Sequence, residues 1–196
     1  MCRHLPWLTL LIWTMPVHAA GLLVPEEKTV LPLAMLDHHV TIQIEDQVAQ
    51  TKVEQTFRNH TDRPLEATYI FPVPRGASVR GFSMSVNGQQ TKGELLEAAK
   101  ASQIYTDIVR RTMDPGLLEY MGNTLLRMKV FPVPARGDVK VIVQYTSVAG
   151  RAGGAVEYIY PLRSEHKATR TLGKFTIKAT LKSQHRIQNI YSPSHA

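Results

Sequence analysis

Hydrophobic and polar residues alternate along most of this chain. Val40, Ile42 and Ile44 fall on one side of an extended segment, with Thr41, Gln43 and Glu45 on the other. Asp46-Gln47 offers a turn, and Ala49, Thr51, Val53, Gln55 and Phe57 then resume the period of two. Successive side chains of a strand point to opposite faces, so this stretch predicts a hairpin with one wet face. The polar run 59–64 predicts the next turn. Ala67, Tyr69 and Phe71 predict a third strand, closed by Pro72 and Pro74 because proline has no N–H to give to a ladder. Phe82, Met84 and Val86 predict another, with Asn87-Gly88 as a type I′ turn into a return strand over residues 89–92. Further alternation over 126–130, 139–145, 156–160 and 175–181, with a loop at 150–154, completes the pattern. The expected fold class is mostly β, a β-sandwich of short antiparallel strands.

One segment departs from this period. Residues 94–111 contain no proline or glycine. Leu95, Ala98, Ala101 or Ser102, Ile104 or Tyr105, and Ile108 recur at steps of three and four. This predicts one amphipathic α-helix of about five turns. Arg110 and Arg111 suit its negative C-terminal end, and Asp114-Pro115-Gly116 stops it.

The first residues carry a different signal. Arg3 and His4 precede an apolar run from Leu5 to Val17, and Val17-His18-Ala19 sets aliphatic or small residues at the −3 and −1 positions of a cleavage site. Such a run is short for a bilayer span, which needs roughly 20 residues. Residues 1–19 are therefore expected to be a signal peptide, with Ala20 as the mature N-terminus and an uncleaved anchor as the alternative. No other segment predicts a membrane span. Cys2, the single cysteine, lies within the signal, so the exported chain would fold without a disulfide.

The formal charge is +7, and removal of Arg3 with the signal leaves 7 − 1 = +6. The bases, among them Arg75, Arg80, Lys92, Arg127, Lys140 and Lys174, are spread out and not interleaved with aromatic residues. This reads as a solvated basic surface rather than a nucleic-acid site. Weak attraction to anionic glycans or cell surfaces remains open.

Candidate chemistry is sparse. No Gly-x-Ser-x-Gly, His-Glu-x-x-His or phosphate-binding glycine loop occurs. Glu94, Glu97 and Asp107 lie on the expected helix, where surface acids are ordinary. Asp37-His38-His39 combines zinc-ligand types. Adjacent strand residues point to opposite faces, however, so the pair reads as two polar residues of a turn. His166, His185 and His195 carry no spacing signal. Asn59-His60-Thr61 forms an N-glycosylation sequon in an expected exposed turn, relevant only to a eukaryotic secretory route and read as unused. No catalytic, cofactor-binding or metal residue is assigned. One internal echo stands out, Phe71-Pro72-Val73-Pro74 against Phe131-Pro132-Val133-Pro134. It fits two quasi-equivalent strand exits with the Phe buried, or a pre-ordered docking site for a partner.

Taken in order, several of these signals resemble the VIT domain, named for vault proteins and inter-alpha-trypsin inhibitor heavy chains. They are Val53-Glu54-Gln55-Thr56-Phe57-Arg58-Asn59, then Tyr69-Ile70-Phe71-Pro72-Val73-Pro74, then Asn87-Gly88. Ala101 and Tyr105 on the helix follow, then Leu117-Leu118-Glu119, Val130-Phe131-Pro132-Val133-Pro134, and the strand 139–145. The likeness runs from about Leu36 to about Ser147. It implies an extracellular interaction or scaffolding role and, further along a longer chain, a von Willebrand factor type A domain. That domain's Asp-x-Ser-x-Ser metal loop does not occur here.

The expected organisation is a signal over 1–19, a linker or edge strand over 20–35, a VIT-like domain over 36–150, and the start of a further, cut-off β-rich region over 151–196. The expected function is a non-enzymatic, secreted, periplasmic or envelope-exposed module. It would bind a protein partner or a matrix or cell-surface component, with no cofactor. An unrecognised hydrolase or hydrolase inhibitor is the alternative. An isolated helix of this length is marginal in water and draws its stability from its buried face. Ile108→Ala should therefore lower the urea midpoint by the equivalent of about 2–5 kcal/mol, whereas Arg110→Ala should barely move it. An unchanged midpoint for Ile108→Ala would mean that the apolar stripe is not packed.

Overall fold

The computed structural model describes residues 17–19, 21–74, 76–86, 88–91, 94–95, 125–160, 162–164 and 173–192. Fourteen strands run along them. β1 (Val17–Ala19), β2 (Leu22–Pro25), β3 (Ala34–Glu45), β4 (Val48–Arg58) and β5 (Leu65–Pro72) come first. β6 (Ser78–Val86), β7 (Gln89–Thr91), β8 (Glu94–Leu95), β9 (Leu125–Val133) and β10 (Asp138–Val148) follow. β11 (Gly150–Ala152), β12 (Ala155–Glu157), β13 (Leu162–Ser164) and β14 (Lys174–Lys182) complete the set.

Two principal sheets result. One has six strands in the order β14-β3-β4-β10-β6-β7, and the other has four in the order β2-β5-β9-β8. A single hydrophobic cluster joins them. Val53 and Phe57 of β4, Met84 of β6 and Val139, Val141, Val143 and Tyr145 of β10 pack with Leu23, Ala67, Tyr69, Phe71, Leu126, Met128 and Val130 of the smaller sheet. The alternation expected from the sequence is present. β4 buries Ala49, Thr51, Val53, Gln55 and Phe57, and β10 buries Val139, Val141, Val143 and Tyr145. The hairpin at Asp46-Gln47 pairs Glu45 with Val48, and Asp46 takes the positive φ that the tight turn requires. The Asn87-Gly88 hairpin pairs Val86 with Gln89.

Several expectations need correction. Among the described residues there is no helix. The segment expected to be helical, 94–111, lies outside the described residues apart from Glu94 and Leu95, which pair with Lys129 and Met128 as strand β8. At these two residues strand pairing takes the place of the expected helical start. The principal strands are not short, since β3 has 12 residues and β4 and β10 have 11 each. Nor is the pairing wholly antiparallel, because β14 runs parallel to β3 over nine positions. A Cβ at Gly173, just before β14, would collide with the Leu36 carbonyl oxygen at the β3 bulge, so only glycine lets the two chains meet this closely. Of the strand expected over 156–160, only Val156 and Glu157 pair, as part of β12. Tyr158 and Tyr160 leave the ladder and turn their hydroxyls toward buried partners.

The echoed motifs are not equivalent. Phe71 is 1% exposed and packs in the shared core, whereas Phe131 is 64% exposed. Leu126, Met128 and Val130 point inward, so alternation turns Phe131 outward; between Val130 and Val133 the pairing with β5 slips by one residue, leaving two residues of β9 opposite one of β5, and Val133 returns to the core face.

The sequon also sits differently from expectation. Asn59 is fully buried at the corner where β4 leaves one sheet for β5 in the other. Its Nδ2 donates to the carbonyls of Arg63 (2.8 Å), Pro134 (3.0 Å) and Val133 (3.2 Å), and its Oδ1 accepts from the N–H (2.9 Å) and hydroxyl (2.8 Å) of Thr61. A nitrogen bound in this way cannot serve as a glycan acceptor in the folded chain. Asn59→Asp would set a carboxylate oxygen against three carbonyls, and a buried polar group that loses its partner costs about 1–3 kcal/mol, more when charged. The expected outcome in urea denaturation is a loss of about 3 kcal/mol or more for Asn59→Asp. Asp62→Ala removes only the exposed ion pair with Arg136 and should barely move the midpoint. Similar midpoints for the two variants would refute the role of Asn59.

Candidate functional site

A chain of buried polar side chains crosses the inner face of the larger sheet. Alternation turns His38 of β3 and Gln55 of β4 inward, and their strands pair them directly. Tyr69 of β5 reaches across from the other sheet, and its hydroxyl donates to Gln55 Oε1 at 2.7 Å. Gln55 Nε2 lies 3.5 Å from His38 Nδ1, and His38 Nε2 lies 2.8 Å from the Tyr160 hydroxyl. With Gln55 donating to Nδ1, the network assigns the proton to Nε2, which donates to Tyr160. Phe175 of β14 and Tyr160 meet the imidazole edge-on, with centroids 5.3 and 5.9 Å away. A second limb joins Thr51 to the Tyr158 hydroxyl at 2.6 Å, with the Tyr145 hydroxyl 3.4 Å from Tyr158.

The electrostatics of this cluster keep it neutral. Burial first, and then the neighbouring His39, hold the His38 imidazole down at about 4. Burial is also the main reason that the Tyr69, Tyr145 and Tyr160 hydroxyls titrate well above the usual phenol range. The cluster contains no carboxylate, and His38, Tyr69 and Tyr145 are almost wholly shielded from solvent. General acid–base work needs a group that can reach a substrate and exchange its proton near the operating pH, and His38 meets neither condition. What the arrangement does is hold the segment after β12 onto the sheet. Gly21 seals one end: its φ is +106°, and a Cβ there would strike the Gln55 carboxamide.

The other candidates do not converge. His38 and His39 point to opposite faces, as adjacent strand residues must. His39 Nδ1 meets the Thr176 hydroxyl of β14, and its Nε2 stands 4.0 Å from Asp37 Oδ1. Among the described residues no group of three or more His, Cys, Asp or Glu is placed to hold a metal ion. His185 is exposed, while His166, His195, Glu97 and Asp107 lie outside the described residues. The side chain of Glu94 does too. Sequence reasoning missed Gln55, Tyr69, Tyr145, Tyr158 and Tyr160 as a network. The available signal was Thr51 and Gln55 occupying inward positions in an otherwise apolar period, where a buried polar group requires partners.

The outer face of the larger sheet is polar and cross-linked. Glu54 bridges Lys52 (3.1 Å) and Lys140 (2.9 Å) across β4 and β10. Arg58 pairs with Asp138 through two hydrogen bonds of 2.7 and 2.8 Å. This face ends at β14, which carries exposed side chains on both sides and, among the described residues, is paired on one edge only.

The model of the Vault protein inter-alpha-trypsin domain matches residues 35–145, more than half of the chain. The chain belongs to the VIT family. Human protein mono-ADP-ribosyltransferase PARP4 is 33% identical over 138 residues, which span 69% of this chain and 8% of that protein. Mouse von Willebrand factor A domain-containing protein 5A is 26% identical over 89% of this chain and 25% of its own length. Bovine inter-alpha-trypsin inhibitor heavy chain H4 is 26% identical over 64% and 14%. The VIT chain thus spans at most a quarter of these three relatives.

The network makes a prediction about pH. The folded His38 value lies below the ordinary 6.5, so protons bind the unfolded chain more readily. Its contribution to stability is complete above about pH 6.5 and drains away as pH falls toward about 4, a loss on the order of 3 kcal/mol. Urea midpoints measured from pH 7.5 down to 4 should fall more steeply for the native chain than for His38→Phe. Parallel profiles would exclude His38 as the source.

Proposed function

We propose that this chain is a non-enzymatic VIT interaction module, exported by residues 1–19 and acting as part of a longer protein that continues into a von Willebrand factor type A domain. The observation that carries the reading is the family match over residues 35–145, together with a relative whose own name includes such a domain and of which this chain would form a quarter. The internal chemistry supports it. The inner polar cluster spends its hydrogen bonds on the fold, and the ionic groups of the outer sheet face are largely paired with one another. No helix among the described residues is long and apolar enough to cross a membrane. The partner class is a protein or a matrix or cell-surface component, met at the surface of the sheets.

Photo-crosslinking in the producing cell tests this. A photoreactive residue placed at exposed sites on the outer face of the larger sheet should yield one discrete adduct. The same probe in an Asn59→Asp background should give less of it, because that variant is less stable. Absence of any adduct, combined with turnover of ester, peptide or glycoside substrates by the purified chain, would overturn the reading in favour of a hydrolase.

A further inference from the structure

β14 closes the larger sheet on one side, and among the described residues no strand pairs with its far edge. The Lys182 carbonyl accepts from the Asp46 N–H, so even-numbered residues of β14 turn their main-chain groups toward β3. The odd-numbered ones, Phe175, Ile177, Ala179 and Leu181, then present N–H and C=O outward. An unpaired edge nine residues long is a template for another strand.

Its side chains state what that strand must be. On the face shared with the core, Ile177 and Leu181 remain 39% and 40% exposed, with Phe175 packed behind them on His38. On the opposite face stand Lys174, Lys178 and Lys182, none in an ion pair among the described residues. The register with β3 sets Asp37 beside Lys174 and Glu45 beside Lys182, but Thr41 beside Lys178. The central lysine therefore has no acid next to it. A second copy of the chain does not fit: two-fold antiparallel pairing about the middle of β14 would set Lys178 against Lys178, and like charges directly opposite are destabilising.

We infer that the free edge of β14 is a β-augmentation site for an extended segment of a protein partner, alternating apolar residues on one face with acidic residues on the other. This rests on the reading of the chain as an interaction module and gives that module a surface and a partner chemistry. Main-chain bonds to the outward groups supply affinity. The Lys178 face and the Ile177–Leu181 face supply register and sign. Because the lysines recur every fourth residue, the charge match holds for either strand direction.

The experiment uses the full chain and a labelled, capped nine-residue peptide, Glu-Val-Thr-Val-Glu-Val-Thr-Val-Glu, with a charge-swapped version carrying Lys for Glu. Fluorescence anisotropy should show the acidic peptide binding at least tenfold tighter than the swapped one. Ala179→Pro removes an outward N–H without touching the β3 ladder and should abolish binding. Lys178→Glu should cut the preference for the acidic peptide at least threefold, which keeps the test valid if the proline variant fails to fold. Hydrogen exchange at Ile177, Ala179 and Leu181 should slow when the peptide is bound. Absence of binding, binding indifferent to Ala179→Pro in a folded variant, a preference unchanged by Lys178→Glu, or self-association through β14 would each overturn the assignment. If the peptide fails while the crosslinked adduct on the sheet face persists, only the edge falls and the interaction module stands.

Discussion

A sandwich of two sheets depends on the corners where the chain passes from one sheet to the other. Here β4 passes to β5 and β9 passes to β10 at neighbouring corners, and both corners are held by one side chain. The Asn59 amide N–H donates to the Gly137 carbonyl at 3.0 Å, and its carboxamide gathers the Val133, Pro134 and Arg63 carbonyls. The Arg136 N–H closes the circuit onto the Thr61 carbonyl at 3.0 Å. Main-chain groups at a corner have left their ladders and are not yet in water, so they need partners that no strand supplies. A carboxamide offers two N–H donors and a separate acceptor oxygen in one short side chain, where a hydroxyl has a single donor. The knot ties the end of β4, the start of β5, the end of β9 and the start of β10 together at one end of the sandwich.

The second constraint is unequal width. Six strands face four, so β3 and β14 extend past the smaller sheet. Val40, Ile42 and Ile44 form their own apolar cluster, covered by Tyr158, Tyr160 and Phe175. The cover is not a strand. It is an irregular segment that the hydroxyls of its tyrosines tie down onto Thr51 and His38. Polar anchoring suits this place because an irregular segment has no ladder to fix its position, and directional bonds do so where apolar packing alone would allow sliding. The cover reaches Phe175 at the start of β14 and leaves Ile177 and Leu181 half exposed.

Much of the fold was legible in the sequence because an antiparallel strand with one buried face writes its period directly into the residues. The central strands, the turns at Asp46-Gln47 and Asn87-Gly88, and the stop at Pro72 were all readable on that basis. β5 was only half legible. It buries Thr68 and Ile70 as well as Ala67, Tyr69 and Phe71, and a strand buried on both faces loses the alternation. The parallel partnership of β14 with β3 was not legible, since pairing across more than a hundred residues leaves no local mark. The burial of Asn59, in a turn expected to be exposed, was not legible for a related reason. A sequon and a corner-binding asparagine have the same letters, and the difference lies in carbonyls more than 70 residues away.

These constraints also decide where recognition can occur. Inside, the polar groups of the His38 network are matched by neighbours and burial holds the imidazole neutral, so this network spends its hydrogen bonds on the fold. On the broad outer face, Glu54, Lys52, Lys140, Arg58 and Asp138 pair with one another, so a partner there meets charges that are already paired. Directional main-chain groups, exposed aliphatic side chains and a charge without an adjacent acid coincide at the rim, where the wider sheet outruns its cover. The mismatch in width that forces an irregular cover on β3 is therefore the same feature that leaves β14 open.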